Sequence, residues 1–244
     1  MKHLYGLQMN SVRDFAKADM DYALKEVAAM GYDYVEFAGF MDHSAEDIRA
    51  MLDKYGLTVR ATHTGWNEVR DDFEGTVRYH KTIGNKNIII PGADLSTAKK
   101  LDEFIGFLNT YKPLLAAEGI TLAYHNHSHE FRPNAAGLIS HHEMETRTDV
   151  DFEIDTYWAF AAGQDPVSML ERLKDRVKFI HLKDGDGGNG GFSLGLGVAP
   201  VREVRAKAIE LGMNMVVESE TLYPDGLSEA RRCIEFLRAL DEAE

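Results

Sequence analysis

"DYVEFAGFMDHSAEDIRAMLDKYGLTVRATH", residues 33–63, contains a complete strand–helix–strand unit. The segments Asp33–Ala38 and Thr58–His63 are short, apolar or alternating, and rich in β-branched and aromatic residues, which predicts two strands. Between them, Ser44 can cap a helix that Gly56 ends. A helix that connects two neighbouring strands predicts that these strands run parallel.

The same unit recurs along the whole chain. Eight candidate strands start 25 to 37 residues apart, and segments with apolar residues at helical spacing lie between most of them. This pattern predicts a single (β/α)8 TIM barrel domain over residues 1–244, with a doubly wound parallel sheet as the alternative. The helix between the fifth and sixth strands has the weakest pattern. The predicted strands are Leu4–Gln8, Asp33–Ala38, Thr58–His63, Asn87–Pro91, Ile120–Asn126, Val150–Asp155, Val177–Lys183 and Asn214–Glu218.

Composition narrows the class of protein. The chain has 244 residues, of which 44% are hydrophobic, enough to bury one large core. A net charge of -13 argues against nucleic acid and anionic membranes as partners, because phosphate contacts need clustered lysine and arginine. Cys233 falls in a helical pattern and is expected to be a packed residue. The sequence shows no signal peptide and no apolar run of about 18 residues, which predicts a cytoplasmic location.

Ionisable residues collect where the predicted strands end. In a (β/α)8 barrel the chemistry lies at the carboxyl ends of the strands. Buried carboxylates cost free energy unless they are paired or bind a metal, so a polar lining from several strands predicts a divalent cation. Mixed carboxylate and imidazole ligands suit Mn, Zn, Co, Fe(II) or Mg. Taken singly, each residue could equally be a loop residue or a satisfied core group. The residues are Glu36, His63, His125, Glu153, Asp155, His181, Lys183 and Glu218.

"AYHNHSHEF", residues 123–131, sets three histidines at alternate positions and follows them with Glu130. Alternate residues of a strand share a face, so the stretch resembles a self-contained zinc site. As the end of the fifth strand, however, it forms one wall of a larger site. It then supplies at most one ligand, either His125 or Glu130, and a candidate base, His127. His129 lies past the strand end.

Two other polar stretches favour ordinary roles. "KDGDGGNGGFSLGLG", residues 183–197, lacks the bidentate glutamate of a calcium loop, and Asp184 and Asp186 would repel a phosphate. A mobile lid or substrate loop is the favoured interpretation. His141 and His142 have no predicted strand beneath them and are expected to be solvated.

The stretches "YHNHSHEF", "FEIDTYWAFAAGQDP", "FIHLKDGD" and "VVESE" resemble, in order and spacing, the xylose isomerase-like sugar phosphate isomerase/epimerase family. This group includes ketose 3-epimerases, inosose dehydratases and inosose isomerases. The resemblance covers nearly the whole chain, and its motifs are specific to the superfamily but weak on substrate. It implies a TIM barrel with a divalent metal at the ends of the fifth to eighth strands.

The resemblance also implies particular metal ligands. Asp155, His181 and Glu218 match three ligand positions of the family. Ketose epimerases have a glutamate where this chain has His125, so the fourth ligand is either His125 or Glu130. The "HEF" that contains Glu130 fits the pattern of the histidine-bearing branch and favours Glu130.

The activity that the resemblance implies is isomerisation or epimerisation of a ketose, an inosose or a related polyhydroxy ketone. Proton abstraction would give a metal-stabilised enediolate. Glu218 is the candidate acid/base on one face of the reacting carbon, with His127 or Glu153 on the other. The candidate residues for holding substrate hydroxyl groups are Glu36, His63, Trp158 and Lys183.

Three other functions stay open. A dehydratase or a lyase acting on an inosose or a 3-keto-glycoside would keep the same first step, with His127 as the base. A DNA phosphodiesterase is disfavoured by the net charge. A non-catalytic sugar-binding subunit would have an inert barrel mouth. In every case except the phosphodiesterase the expected partner is a small sugar or polyol, and homo-oligomer formation is open.

Overall fold

The computed structural model describes residues 2–243, so Met1 and Glu244 of the predicted domain lie outside the described residues. Eight parallel strands close into a barrel in the order β1-β10-β7-β6-β5-β4-β3-β2, which confirms the predicted (β/α)8 barrel over the doubly wound sheet. Each predicted strand is present, and its ends differ from the prediction by no more than one residue. The barrel strands are β1 Tyr5–Gln8, β2 Tyr34–Ala38, β3 Thr58–His63, β4 Asn87–Ile90, β5 Thr121–His125, β6 Asp151–Asp155, β7 Val177–Leu182 and β10 Asn214–Val217.

Helices surround the barrel, and a short antiparallel hairpin, β8 Asp184–Gly185 with β9 Gly191–Phe192, folds the glycine-rich loop after β7. Ser44 accepts a hydrogen bond from the Asp47 backbone at 3.1 Å and caps α3, as predicted. No helix within residues 2–243 combines the length and the apolarity needed to cross a membrane. The α-helices are α1 Arg13–Ala18, α2 Met20–Met30, α3 Ala45–Tyr55, α4 Trp66–Asp71, α5 Phe73–Ile83, α6 Ala98–Ala117, α7 Ser140–Arg147, α8 Thr156–Ala161, α9 Pro166–Arg172, α10 Val201–Leu211 and α11 Gly226–Ala243, and Met9–Val12 and His129–Phe131 are 3-10 turns.

Alternation along the strands places the polar residues inside the barrel. Outward residues such as Ile154 join the large core between strands and helices. Inward residues on the floor of the barrel form a separate small apolar cluster. Because side-chain direction repeats every second residue, His125 follows Ala123 into the interior and Glu218 follows Val216. The floor cluster is Tyr34, Ala61, Ile89, Ala123, Phe179 and Val216.

The floor of the barrel is closed by Tyr34, and Gly6 makes room for it. A Cβ atom on Gly6 would lie 2.2 Å from the Tyr34 ring, which is closer than atoms can approach. The Tyr34 hydroxyl donates to the Met215 carbonyl at 2.7 Å, so its polar end is satisfied within the barrel. The polar interior residues above this floor therefore open toward the carboxyl ends of the strands.

Candidate metal centre

Four side chains from four strands meet at the mouth of the barrel. His125, Asp155, His181 and Glu218 each offer one ligand atom, and these atoms lie within 4.8 Å of one another. The Nδ1 atom of His181 is 3.2 Å from Oε2 of Glu218 and 3.8 Å from Oδ2 of Asp155. The Nε2 atom of His125 is 3.7 Å from the same oxygen of Asp155. All four residues are buried. We call these four residues the mouth cluster.

Glu130 lies outside the mouth cluster, although the sequence favoured it over His125 as the fourth ligand. Its Oε1 atom accepts from the Tyr124 hydroxyl at 2.7 Å, and Oε2 accepts from the His127 backbone at 2.9 Å. Tyr124 points away from the interior because it alternates with His125 on β5. The 3-10 turn His129–Phe131 thus carries the Glu130 carboxylate to the outer side of the strand, whereas His125 lies in the mouth cluster.

The mouth cluster fits a divalent cation. Oδ1 of Asp155 accepts from the Trp158 backbone at 2.8 Å, but Oδ2 is buried without a hydrogen-bond partner. Both ring nitrogens of His125 are also buried without one. An unpaired buried polar group costs about 1–3 kcal/mol, so several in one place point to a ligand that supplies the missing contacts. Two imidazoles and two carboxylates are a ligand set that suits Zn, Mn, Co or Fe(II).

A second layer of side chains contacts the far side of the His181 ring. The Nε2 atom of His181 lies 2.9 Å from Oε1 of Glu36 and 3.2 Å from Oε2 of Glu153. His63 contacts the same two carboxylates, at 3.1 Å and 2.8 Å. Glu36 and Glu153 are fully buried. One oxygen of each carboxylate thus contacts the imidazoles of His63 and His181, an arrangement that holds the His181 ring with Nδ1 toward the mouth cluster.

The buried carboxylates around His181 favour positive charge on their neighbours. Burial would raise the pKa of Glu36, but the imidazoles of His63 and His181 hold it well below its usual range. Burial favours neutral His63, yet Glu36 and Glu153 raise the pKa of that imidazole to about 10. Burial likewise opposes charge on His181, whose pKa is nevertheless raised well above the ordinary value by carboxylates led by Glu153. A divalent cation would meet the same demand for positive charge.

Lys183 is a buried ammonium group beside the mouth cluster. Its Nζ atom is 3.2 Å from Oε2 of Glu218 and 3.7 Å from Oδ2 of Asp155, and it also pairs with Glu220. It lies 4.6 Å from the centre of the Trp158 ring. Burial alone would lower the pKa of Lys183, but the three carboxylates raise it, so the side chain stays charged.

His127 is a neutral imidazole next to the mouth cluster. Burial and repulsion from His125 lower the pKa of His127 to about 4. Its ring centre lies 4.9 Å from that of His125 and 6.2 Å from that of Trp158. His127 is therefore neutral at pH 7, which is the protonation state that the predicted role of a base requires.

Two residues that sequence reasoning missed support the site. Gln8 donates from Nε2 to Oε1 of Glu36 at 2.5 Å. Asn126 bonds to the backbone of Asp155, accepting at 3.1 Å and donating at 3.2 Å, and so fixes β6 against β5. Gln8 could have been found as a polar residue at the carboxyl end of β1. Asn126 gave no signal beyond its place next to His125.

The expectation that His141 is solvated is wrong. Only 1% of its surface is exposed, and its ring stacks between Phe131 and Phe152, with ring centres 4.6 and 4.8 Å away. Its Nδ1 atom lies 2.7 Å from Oε1 of Glu145. Helix α7 turns this face toward β6, while His142 points to solvent as expected.

The closed barrel and the cluster of imidazoles and carboxylates at the carboxyl ends of its strands define a TIM-barrel protein with a candidate metal centre. The model of the xylose isomerase-like TIM barrel family matches residues 24–240, and the chain belongs to this family.

Three known proteins show what the chain is similar to. An inosose dehydratase of Geobacillus kaustophilus is 24% identical over 189 residues, which cover 67% of this chain and 61% of the relative. A sugar phosphate isomerase/epimerase from Parabacteroides distasonis has the same fold, with a TM-score of 0.85 and 22% identity over 98% of this chain and 95% of that one. The structure of the IolI protein with a binding zinc atom matches with a TM-score of 0.76 and 15% sequence identity over 96% of each chain. The chain spans about three fifths of the length of the curated relatives it matches.

Proposed function

We propose that the mouth cluster holds a divalent cation and that the protein is a dehydratase of a polyhydroxy ketone such as an inosose. One observation carries the proposal. A neutral imidazole, His127, and a buried ammonium group, Lys183, both lie beside a cluster whose buried polar atoms lack hydrogen-bond partners. The similarity to inosose dehydratases, at 24 to 26% identity, supports the substrate class.

The roles follow from the charge of each group. A cation held by His125, Asp155, His181 and Glu218 would supply Lewis acidity to the substrate carbonyl. His127 would remove the proton from the carbon next to the carbonyl, because it is neutral at pH 7 and lies beside the mouth cluster. Lys183 would protonate the departing hydroxyl group. The electron pair of the broken C–H bond then forms the C=C bond as water leaves.

The surroundings of Glu153 narrow the choice of acid/base group on the second face of the reacting carbon. An epimerase needs an acid/base group on each face of the reacting carbon. Glu153 was a candidate for the second face, but it is fully buried and its Oε2 atom contacts His63 and His181 at 2.8 and 3.2 Å. The predicted pair that remains is Glu218 with His127, and Lys183 next to Glu218 is the additional acid that elimination needs.

An isomerase is the second candidate function. It shares the first step, and Oε2 of Glu218 lies 3.2 Å from Lys183, so a proton could be returned to the neighbouring carbon instead of to a leaving group. The two reactions differ in product. Elimination yields an enone or a dione that absorbs in the ultraviolet, whereas isomerisation yields another polyhydroxy carbonyl compound.

The test is an assay in D2O with the metal-loaded protein and a panel of inososes and ketoses. We expect loss of the proton next to the carbonyl in NMR spectra, together with rising ultraviolet absorbance, and both should stop when a chelator is added. Exchange without absorbance would establish the isomerase. No exchange with any compound, or exchange that a chelator leaves intact, would refute both.

A matched pair of variants assigns the base. His127→Asn should lower the exchange rate by about 100-fold or more while the bound metal is retained. His129→Asn serves as the control, because His129 lies in the same stretch with 60% of its side chain exposed and should keep wild-type exchange. An equal loss in both variants would argue against a specific role for His127.

A further inference from the structure

The loop after β7 carries a backbone pocket for an anion, and a carboxylate of the chain fills it. Oδ2 of Asp184 accepts from the backbone of Gly195 at 3.0 Å and of Gly197 at 2.9 Å. Oδ1 accepts from the backbone of Gly185 at 2.9 Å and of Ala199 at 3.0 Å. In TIM barrels, loops after the seventh and eighth strands often bind substrate phosphate with such N–H groups. Here these donors are taken by Asp184, which is 1% exposed.

The cation nearest to the mouth cluster, Lys183, is likewise already paired with carboxylates of the chain. Lys183 contacts three carboxylates, those of Asp155, Glu218 and Glu220. Arg13 donates to the carbonyl of Glu220 at 2.8 Å and to that of Asn10 at 2.9 Å, so it braces the backbone beside the mouth. A phosphate placed near Lys183 would meet Glu220, whose side chain is 38% exposed.

The loops that follow the barrel strands are acidic as a group. Leaving histidines aside, residues 9–12, 39–44, 64–65, 91–97, 126–139, 183–200 and 218–225 contain eight carboxylates and two cations. Arg13, at the start of α1, raises the cations to three. The two charges of a bound divalent cation bring the positive charges to five, still fewer than the eight carboxylates, so the mouth has a negative potential that disfavours a dianion and tolerates neutral hydroxyl groups. The carboxylates are Asp42, Asp94, Glu130, Asp184, Asp186, Glu218, Glu220 and Asp225, and the two cations are Arg132 and Lys183.

The groups beside Lys183 suit a neutral ligand. A small cavity of about 80 Å³, large enough for part of a substrate, lies there, and its other lining residues include two aromatic rings and two neutral polar side chains. Aromatic rings pack against the C–H faces of a sugar or cyclitol, while hydroxyl and amide groups bind its oxygens. The lining is Tyr157, Trp158, Lys183, Asn189, Gly191, Glu220 and Thr221.

From these observations we infer that the substrate is an unphosphorylated polyhydroxy ketone, and that Glu220 is the residue that discriminates against a phosphate. The inference rests on the proposed function for the carbonyl chemistry, but it concerns the remainder of the substrate. Glu220 acts by pairing with Lys183 and by placing its own charge where a phosphate would lie. Asp184 acts by filling the backbone pocket.

The experiment compares binding of matched compounds to the metal-loaded protein. The pairs are D-fructose with D-fructose 6-phosphate, and D-xylulose with D-xylulose 5-phosphate, titrated calorimetrically at a buffered free-metal concentration. The neutral member of each pair should bind at least about tenfold more tightly. Glu220→Gln should reduce this ratio by about fivefold or more, because the variant removes one of the carboxylates that neutralise the charge of Lys183. Asp42→Asn is the control: it removes an exposed carboxylate from another mouth loop and should preserve the ratio.

Binding separates this inference from the proposed reaction. Tight binding of a neutral compound without any proton exchange would refute the reaction and sustain the inference. Equal or tighter binding of the phosphorylated member would overturn the inference, even if exchange occurs. Binding of neither member of either pair would overturn the inference, while the proposed reaction would still be decided by the exchange assay with inososes. An unchanged ratio in Glu220→Gln would refute the assignment of Glu220 as the residue that discriminates against a phosphate.

Discussion

The two ends of the barrel both bury charged side chains, but they satisfy them differently. At the end opposite the mouth, Asp241 accepts from the Tyr5 hydroxyl at 2.8 Å, from Arg205 at 2.6 Å and from Arg238 at 3.1 Å. Arg205 is 2% exposed. Both carboxylate oxygens of Asp241 are in use, so this network ties β1, α10 and α11 together.

At the mouth, buried atoms lack partners. Residues 2–243 contain eight buried side-chain nitrogen or oxygen atoms without a hydrogen bond. Six of them belong to the mouth cluster or its immediate neighbours, and none belongs to the Asp241 network. Satisfied buried charges stabilise a fold, whereas unsatisfied ones lower its stability unless a ligand completes them. The six atoms are Oε2 of Glu36, Nδ1 and Nε2 of His125, Nδ1 of His127, Oε1 of Glu153 and Oδ2 of Asp155.

The largest effect on function is expected for Asp155→Asn. Asparagine keeps the cap on the Trp158 backbone but removes the charge of the unpartnered oxygen, so metal content should fall to the background level and proton exchange by about 1,000-fold or more. Elemental analysis and the D2O assay measure the two losses. Asp151→Asn is the matched control, because Asp151 starts the same strand at the opposite end of the barrel. A variant at Asp155 that keeps both metal and exchange would break the comparison.

The largest effect on stability is expected at the other end, for Asp241→Asn. The change removes the negative charge that Arg205 contacts at 2.6 Å, which should lower the free energy of unfolding by about 1.5–3 kcal/mol. Urea unfolding measures the loss, and metal content should stay at the wild-type level. A loss of metal in Asp241→Asn would show that the two ends are coupled.

The sequence predicted the fold well because strand and helix periodicity is local. Thr58–His63 has the same bounds in the prediction and in the structure, and the cap at Ser44 and the stop at Gly56 are both present. Such signals need no knowledge of distant residues. The same periodicity indicated that polar residues collect at the strand ends, whereas the particular ligands Asp155, His181 and Glu218 were predicted from the family resemblance.

What the sequence could not give depends on contacts between distant elements. Glu130 and His125 are five residues apart, and only the path of the turn after β5 decides which of them faces the interior. Glu36 and His181 are 145 residues apart, and their contact arises from the closure of the barrel. Likewise, the burial of His141 follows from how α7 packs on β6, which its own polar sequence does not reveal.

A smaller effect should follow from Glu36→Gln. The carboxylate contacts His181 Nε2 at 2.9 Å and favours a proton there, which leaves Nδ1 available at the mouth cluster. Removing the charge should weaken zinc binding by about 10- to 100-fold, measured by titration against a competing chelator. Long-range proton–nitrogen NMR of the zinc-free protein should show a lower pKa for the His181 ring in the variant, because one of the carboxylates that raise it has lost its charge. Glu46→Gln, an exposed change on α3, should alter neither measurement. Unchanged zinc affinity in Glu36→Gln would show that the charge of Glu36 does not support the metal ligand His181 and that the residue serves only in packing.

The smallest effect concerns a histidine that, unlike His125, is fully satisfied. His80 lies 2.7 Å from the Thr76 carbonyl through Nδ1 and 2.9 Å from the Thr62 hydroxyl through Nε2. Burial lowers its pKa below the ordinary 6.5, so the folded state binds fewer protons than the unfolded state. Its contribution to stability is therefore fully present above pH 6.5 and falls as the pH drops below that value. A single group can add a slope of at most about 1.4 kcal/mol per pH unit.

The comparison of His80 with an exposed histidine isolates this slope. Urea unfolding of the wild type in chelator should give a lower free energy at pH 5.5 than at pH 7.5, and His80→Gln should show a smaller difference between the two pH values because its side chain does not titrate. His142→Gln, on the exposed face of α7, should keep the wild-type difference. If the two variants respond alike, the acid loss of stability comes from other groups, and the mouth histidines become the next residues to substitute.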